Sequence, residues 1–378
     1  MNPAIEIIGT EKCTGCFGCY NACPKKAIQM KLDRSGFLTP IIDKDLCNNC
    51  GICNKYCPVI NNFTNHIINP KVFASRAKDE RSLLKSSSGG VFGELAKYFL
   101  KEGGIIYGAG FDPEFNLHHL EIKKISDLPR IQGSKYIQSS IDLSYRESIN
   151  NLLKNKKVLF CGTPCQIASL NLFIKKLEPS LQKNILTCDV VCHGVPSVII
   201  FKRYINRLQK KYKSRINNIS FRSKKNGWRN FSMEIRFDNL NKKYLKCHRV
   251  DPFMQEFLSN NYLRRSCYDC EFSRLPRYGD ITLGDLWGAK SGFYNPKGVS
   301  FISINSKKGE ETIKKLYEKG VIILKEYSLE EGIKSNPRIS EYKLSKEKTR
   351  MPSFFSMYLW NYLSKTKTFF QDIFYKRF

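Results

Sequence analysis

The spacing of apolar residues changes character several times along the chain. Between 28 and 42 they alternate loosely with polar ones on either side of Asp33-Arg34-Ser35-Gly36, which predicts a short hairpin. A polar linker at 61–70 follows, and beyond it short apolar runs take turns with amphipathic segments. Runs at 72–74, 105–107, 158–160 and 185–191 read as strands, and 90–101, 141–154, 164–176 and 197–213 read as helices. Strand and helix in alternation predict an α/β domain. At 216–247 the period drops back to two, as in FSMEIRF at 231–237, so a β-rich second lobe is expected before further α/β elements reach about 325.

The cysteines carry an internal repeat. Cys13-x2-Cys16-x2-Cys19-x3-Cys23-Pro24 is matched by Cys47-x2-Cys50-x2-Cys53-x3-Cys57-Pro58. Three thiolates two residues apart wrap one cubane, and the fourth is carried off to the other cluster. One 4Fe-4S cluster is therefore assigned to Cys13, Cys16, Cys19 and Cys57, and the other to Cys47, Cys50, Cys53 and Cys23. Gly15, Gly18 and Gly51 relieve the tight loops. Zinc modules pair cysteines two by two and do not use this third cysteine followed by Cys-Pro. Residues 1–62 thus read as a two-cluster ferredoxin module, a path for single electrons, each half of the repeat carrying its own small sheet.

Length and composition say that more follows. At 378 residues the chain far exceeds the roughly 60 of such a module. Hydrophobic residues make up 42%, enough for a sizeable core, and no apolar run of about 18 residues is present to span a bilayer. Residues 1–10 lack the pattern of an export signal, so a soluble, cytoplasmic protein is expected. Fifteen cysteines, an odd number in a long chain, fit ligand chemistry better than disulfides. The net charge of +29 is uneven: residues 1–60 hold seven Lys/Arg against five Asp/Glu, or +2, leaving +27 for the rest. No acid occurs from Lys202 to Asn230, a run that includes Arg203, Arg207, Arg222 and Lys224. Its plainest reading is the solvated face of a helix burying Phe201, Tyr204, Ile205 and Leu208; an anionic partner is the other, and nucleic acid is not expected.

Further chemistry sits in the larger domain. Ser86-Ser87-Ser88-Gly89-Gly90 directly precedes a predicted helix, where a serine serves as an N-cap or the exposed amides bind phosphate. Gly133-Ser134-Lys135-Tyr136 offers a second anion-friendly loop. Neither GxGxxG nor GxxxxGK[ST] is present, so no Rossmann fingerprint or Walker loop is invoked. Of the remaining cysteines, Cys267-x2-Cys270 has ligand spacing, and Cys165 and Cys192 lie just past predicted strands, where α/β sites assemble. A third metal site, zinc or iron-sulfur, is expected from at least two of these; Cys161 and Cys188 read as core residues.

Several segments in order resemble one family, the beta subunits of coenzyme F420 hydrogenases and dehydrogenases with a ferredoxin module fused in front. They are SSSGGVF at 86–92, GGIIYGA at 103–109, GSKYIQS at 133–139, GTPCQIA at 162–168, CHGVPS at 192–197, CYDCEF at 267–272 and DITLGDLWG at 280–288. The resemblance implies a two-lobed α/β (α+β) FAD-binding domain, its N-terminal part at 71–155 and C-terminal part at 156–325. It implies a third 4Fe-4S cluster on Cys165, Cys192, Cys267 and Cys270, and FAD near Ser87, Ser88, Gly89, Gly90, Gly133, Ser134, Lys135 and Tyr136. Catalytic acid and base are not identifiable, His193 included. The expected function is an iron-sulfur flavoprotein oxidoreductase between a ferredoxin-like carrier, or another oxidoreductase subunit, and a small-molecule hydride acceptor, coenzyme F420 or another metabolite. A non-catalytic electron-transfer subunit is the alternative. Residues 326–378 read as a helical tail; aromatics and bases interleave at 351–378, either packed on the domain or making peripheral membrane contact.

Overall fold

The computed structural model describes residues 1–63 and 67–340. In the N-terminal module, α1 (Ala4–Lys12) and α2 (Gly18–Ala22) precede the hairpin of β1 (Ile28–Leu32) and β2 (Leu38–Ile42), and α3 (Ile52–Lys55) ends it. The hairpin pairs from Ile28↔Ile42 to Leu32↔Leu38, and Asp33 Oδ1 closes its turn by accepting from the N–H groups of Ser35 and Phe37. A sheet for each half of the repeat was expected, yet among the described residues this hairpin is the module's one sheet. The segment before the first cysteine run is helical as α1, and the chain turns away after Cys57, so no strand is left for a second pair.

The larger domain then runs through β3 (Lys71–Ala77), α4 (Glu80–Lys85), α5 (Val91–Lys101), β4 (Ile105–Phe111), β5 (Leu117–Ile122), α6 (Ser144–Leu153), β6 (Val158–Gly162), α7 (Pro164–Ile174), α8 (Pro179–Gln182), β7 (Ile185–Val190) and α9 (Val198–Tyr212). After these come β8 (Ile216–Ser223), β9 (Ser232–Phe237), β10 (Lys243–Cys247), α10 (Pro252–Leu258), β11 (Ile281–Asp285), β12 (Ser300–Ile304), α11 (Lys307–Glu318), β13 (Ile322–Tyr327) and α12 (Leu329–Ser335). Eight strands form one mixed sheet in the order β13-β3-β12-β11-β7-β6-β4-β5. Its strands come from both 71–155 and 156–325, so these segments build a single sheet.

The neighbours β4, β6, β7 and β11 run parallel. Val158, Leu159 and Phe160 of β6 and Ile185 and Leu186 of β7 are buried, as central strands covered on both faces must be. The carboxyl ends of β6, β7 and β11 therefore lie side by side, and those of β6 and β7 lead directly to the predicted site residues Cys165 and Cys192. Thr163 and Gln166 form a capping box at the start of α7, with Pro164 at its first position, so the residue after β6 enters a helix at once.

The second lobe is the antiparallel sheet β10-β9-β8 covered by α9. Phe201, Tyr204, Ile205 and Leu208 are buried in one cluster with Phe221, Phe231 and Ile235. Arg203, Arg207, Lys210, Lys211 and Lys213 point to solvent, so this half of the acid-free run is a solvated helix face.

The ferredoxin module is packed onto α6 and α7. The Tyr145 hydroxyl donates to Cys16 O at 2.9 Å, Arg146 donates to Asn21 O and Cys23 O, and Asn21 Nδ2 donates to Asp142 O. A methyl group on Gly18 would lie 2.3 Å from Ser169 Oγ and 2.4 Å from Tyr56 O, so only glycine permits this approach. Among the described residues no helix is long and apolar enough to cross a membrane. Residues 351–378, with the alternatives of packing or membrane contact, lie outside the described residues.

Candidate cluster and cofactor site

Two small cavities sort the eight repeat cysteines into the crossed sets. One is lined by Cys13, Cys16, Cys19 and Cys57, the other by Cys23, Cys47, Cys50 and Cys53. Backbone geometry delivers them: Phe17 (φ 67°) and Gly51 (φ 70°) hold equivalent left-handed positions before α2 and α3, so three cysteines curl round each cavity. The strained conformation at Phe17 is held by burial of its ring. Burial, with Cys16 next, pushes the Cys57 thiol up to about 12, and burial raises Cys19 strongly as well. Buried thiols that face one another stay neutral unless a cation joins them, which is the donor chemistry of a metal cluster. Among the described residues no three His, Cys, Asp or Glu side chains close around a single ion; here the sulfurs line cavities instead. All fifteen cysteines are free thiols.

A further set of four meets at the carboxyl edge of the main sheet. Cys165 opens α7 after β6, Cys192 follows β7, and Cys267 and Cys270 come from the loop after α10. Burial raises Cys165, Cys192 and Cys267, the last to about 12, and Cys270 is the strongest neighbouring thiol for all three. Cys165 also feels Cys16, and Cys19 feels Cys53, so the three sets form a row through the molecule. At one end of that row Cys50 is exposed. Cys247 lies apart on β10 beside His248, and Cys161 and Cys188 are cross-strand partners on β6 and β7, Cys188 fully buried.

The serine-glycine loop and the 133–136 loop also come together: Ser134 N–H donates to Ser87 Oγ at 2.6 Å. None of the serines caps α5, whose N-cap is Gly90 at φ 83° with no side-chain hydrogen bond. Ser88 Oγ instead donates to Val299 O at 2.8 Å and Gly89 N–H to Ser300 Oγ, so these two tie the loop to β12. Tyr136 stacks on Phe257 at 4.8 Å, and its hydroxyl accepts from Arg222 Nη1 at 3.0 Å. Arg222 also reaches Ser87 O at 3.2 Å, and its bidentate pair with Asp285 is shared with the Trp228 indole N–H. Lys135 and Lys224 donate only to carbonyl and hydroxyl oxygens here, and desolvation pulls each ammonium down to about 7.

Comparison with known proteins follows the same division. Residues 12–61 match the 4Fe-4S dicluster domain, and 155–330 match the C terminus of the coenzyme F420 hydrogenase/dehydrogenase beta subunit. Residues 155–330 thus carry a region similar to those beta subunits, behind a dicluster ferredoxin domain. The chain is 26% identical over 208 residues to the F subunit of the F(420)H(2) dehydrogenase of Methanosarcina mazei, covering 51% of this chain and 56% of that one. It is 26% identical over 373 residues to a coenzyme F420-dependent sulfite reductase of Methanocaldococcus jannaschii, covering 94% of this chain and 53% of that one. The chain thus spans about half the length of these relatives. A chain from a structure of the F420-reducing NiFe hydrogenase complex of Methanosarcina barkeri is similar over 72% of this chain and 89% of that one, at 17% identity and a TM-score of 0.48.

With its 4Fe-4S dicluster domain in front of that region, the chain is an iron-sulfur electron-transfer protein. Sequence reasoning passed over Arg222, Lys224, Asp285 and Trp228 as site residues. The only hint was that Arg222 and Lys224 fall where the acid-free run leaves its helical period, so their burial was not announced by an amphipathic face. Asp285 is the counter-charge of Arg222, whose side chain is 4% exposed.

Proposed function

We propose that the chain is an iron-sulfur flavoprotein that passes electrons between a ferredoxin-type carrier and a hydride acceptor, coenzyme F420 or another metabolite. The reading assigns 1–62 to the two-cluster module, 71–155 and 156–325 to the flavin domain, and 326–378 to the tail. Cys13, Cys16, Cys19 and Cys57 would hold one 4Fe-4S cluster, and Cys23, Cys47, Cys50 and Cys53 a second. Cys165, Cys192, Cys267 and Cys270 would hold a third. The observation that carries the reading is the unbroken row of these sets from exposed Cys50 to the sheet edge.

Bound FAD would supply the junction between one-electron clusters and a two-electron acceptor, since a hydride carries two electrons with its proton. For its phosphates the chain offers the uncapped start of α5, the 133–136 loop, and two ammoniums that, among the described residues, have no carboxylate in hydrogen-bond reach. Ser87, Gly133, Ser134, Lys135 and Tyr136 face this region together with Arg222, while Ser88, Gly89 and Gly90 shape the loop behind it. Anaerobic turnover with reduced ferredoxin or a viologen and candidate acceptors tests the proposal. Stoichiometric acceptor reduction is expected; flavin reduction without any acceptor turnover would favour a pure relay role, in keeping with the Methanosarcina mazei relative, which is named as one subunit of a dehydrogenase.

A further inference from the structure

The loop that supplies Cys267 grips the ferredoxin module through a buried cation. Arg264 is 2% exposed. Its Nη1 donates to Cys13 O at 2.9 Å, and its Nη2 to Leu38 O at 2.6 Å and to Gln138 Oε1 at 3.1 Å. The guanidinium lies 5.1 Å from the centre of the Phe37 ring, and its Nε is buried without an acceptor. Ser266 Oγ adds a second bond to Cys13 O at 3.1 Å, and Arg265 pairs with Glu11 at the surface. A methyl group on Gly15, which sits between Cys13 and Cys16 at φ 64°, would fall 2.7 Å from Arg264 Nη2 and 2.4 Å from Gln138 Nε2. The cluster loop is thus fitted around this cation.

Among the described residues no carboxylate is a hydrogen-bond partner of Arg264. An always-charged guanidinium removed from water costs several kcal/mol unless an opposite charge answers it. Gln138 is neutral, and the other acceptors are main-chain carbonyls. What Arg264 adjoins is cysteine from two different sets: its Nη1 donates to Cys13 O at 2.9 Å, and the N–H of Cys267 donates to Arg264 O at 2.9 Å. A 4Fe-4S cluster bound by four thiolates is a net anion, more negative when reduced, and local charge is one of the levers on its potential.

On the cluster assignment of the preceding section, we infer that Arg264 is the shared counter-charge of the inner ferredoxin cluster and the third cluster, a positioning residue that raises both potentials together. Such a cation favours the added electron on either side of the module boundary, levelling the step between the two clusters. The hydrogen bonds of Arg264 go to the loop of the inner set and to Leu38 and Gln138, not to the loop that carries Cys47, Cys50 and Cys53, so the potential of the outer cluster is an internal reference.

The test is a redox titration followed by electron paramagnetic resonance on anaerobically purified full-length protein, comparing wild type with Arg264→Gln, Arg264→Lys and Gln138→Glu. Arg264→Gln should lower the reduction constants of two clusters at least tenfold, about 59 mV for one electron, and leave the outer one in place. Arg264→Lys should restore most of the shift, because charge rather than shape sets it. Gln138→Glu keeps the arginine but puts a carboxylate on Nη2, and should reproduce the downward shift even if Arg264→Gln fails to assemble. Three clusters present with unchanged potentials, or all three moving alike, would overturn the inference. Wild-type protein with only two clusters would overturn the assignment beneath it, and the inference with it.

Discussion

Lys135 and Lys224 stand out at the scale of single residues, because each is a cation in a desolvated place whose hydrogen bonds go to neutral oxygens. Their ammoniums are held at about 7, and a bound phosphate would raise both, so binding takes up protons. Below that value both free and bound forms are charged and affinity is full. As pH rises above about 7 the free protein loses protons that the complex retains, and affinity falls by up to about tenfold per unit for each lysine. FAD dissociation constants of the apoprotein between pH 6 and 9 should show this weakening; a flat profile would remove the two lysines from the site. Asp285 supplies the second residue-scale expectation. Asp285→Asn strips the counter-charge from a buried guanidinium and should cost about 3–5 kcal/mol in denaturant unfolding, with flavin lost in parallel.

Among the elements, those with a strict period were legible beforehand. The runs at 105–107, 158–160 and 185–191 became β4, β6 and β7, because strands buried on both faces have few ways to be anything else. The helix expected at 197–213 is α9, and its exposed bases follow from the same periodicity. The cysteine repeat disclosed which thiols share a cavity, since its spacing constrains the loop directly. Less could be read where a contact depends on distant partners. Arg222 pairs with Asp285 across 63 residues of chain, and Arg264 reaches Cys13 across 251, and no local pattern marks either. The missing second small sheet has a similar cause, because the segment that would have completed it is helical as α1. Gly18→Val tests the packing of α2 on α7. Its side chain would meet Ser169 and Tyr56, so the variant should loosen the module and expose the linker at 61–70 to limited proteolysis, whereas wild-type resistance would show that the contact is slack.

Across the whole molecule, a row of three cysteine sets leads from the surface at Cys50 to the carboxyl edge of an eight-stranded sheet. The module and the larger domain are joined at the loops that bear the sets: Cys13 O, Cys16 O and Cys23 O each accept a hydrogen bond from the larger domain. Electron passage across that boundary is therefore expected to be intramolecular and independent of protein concentration. The central claim is that the larger domain contributes its own cluster and a flavin, and it is open to one direct measurement. An iron, sulfide and flavin count on anaerobically purified protein should give about twelve irons, about twelve sulfides and about one FAD per chain, falling to about eight irons in Cys267→Ser with the module's two clusters intact. About eight irons and no flavin in the wild type would contradict that claim.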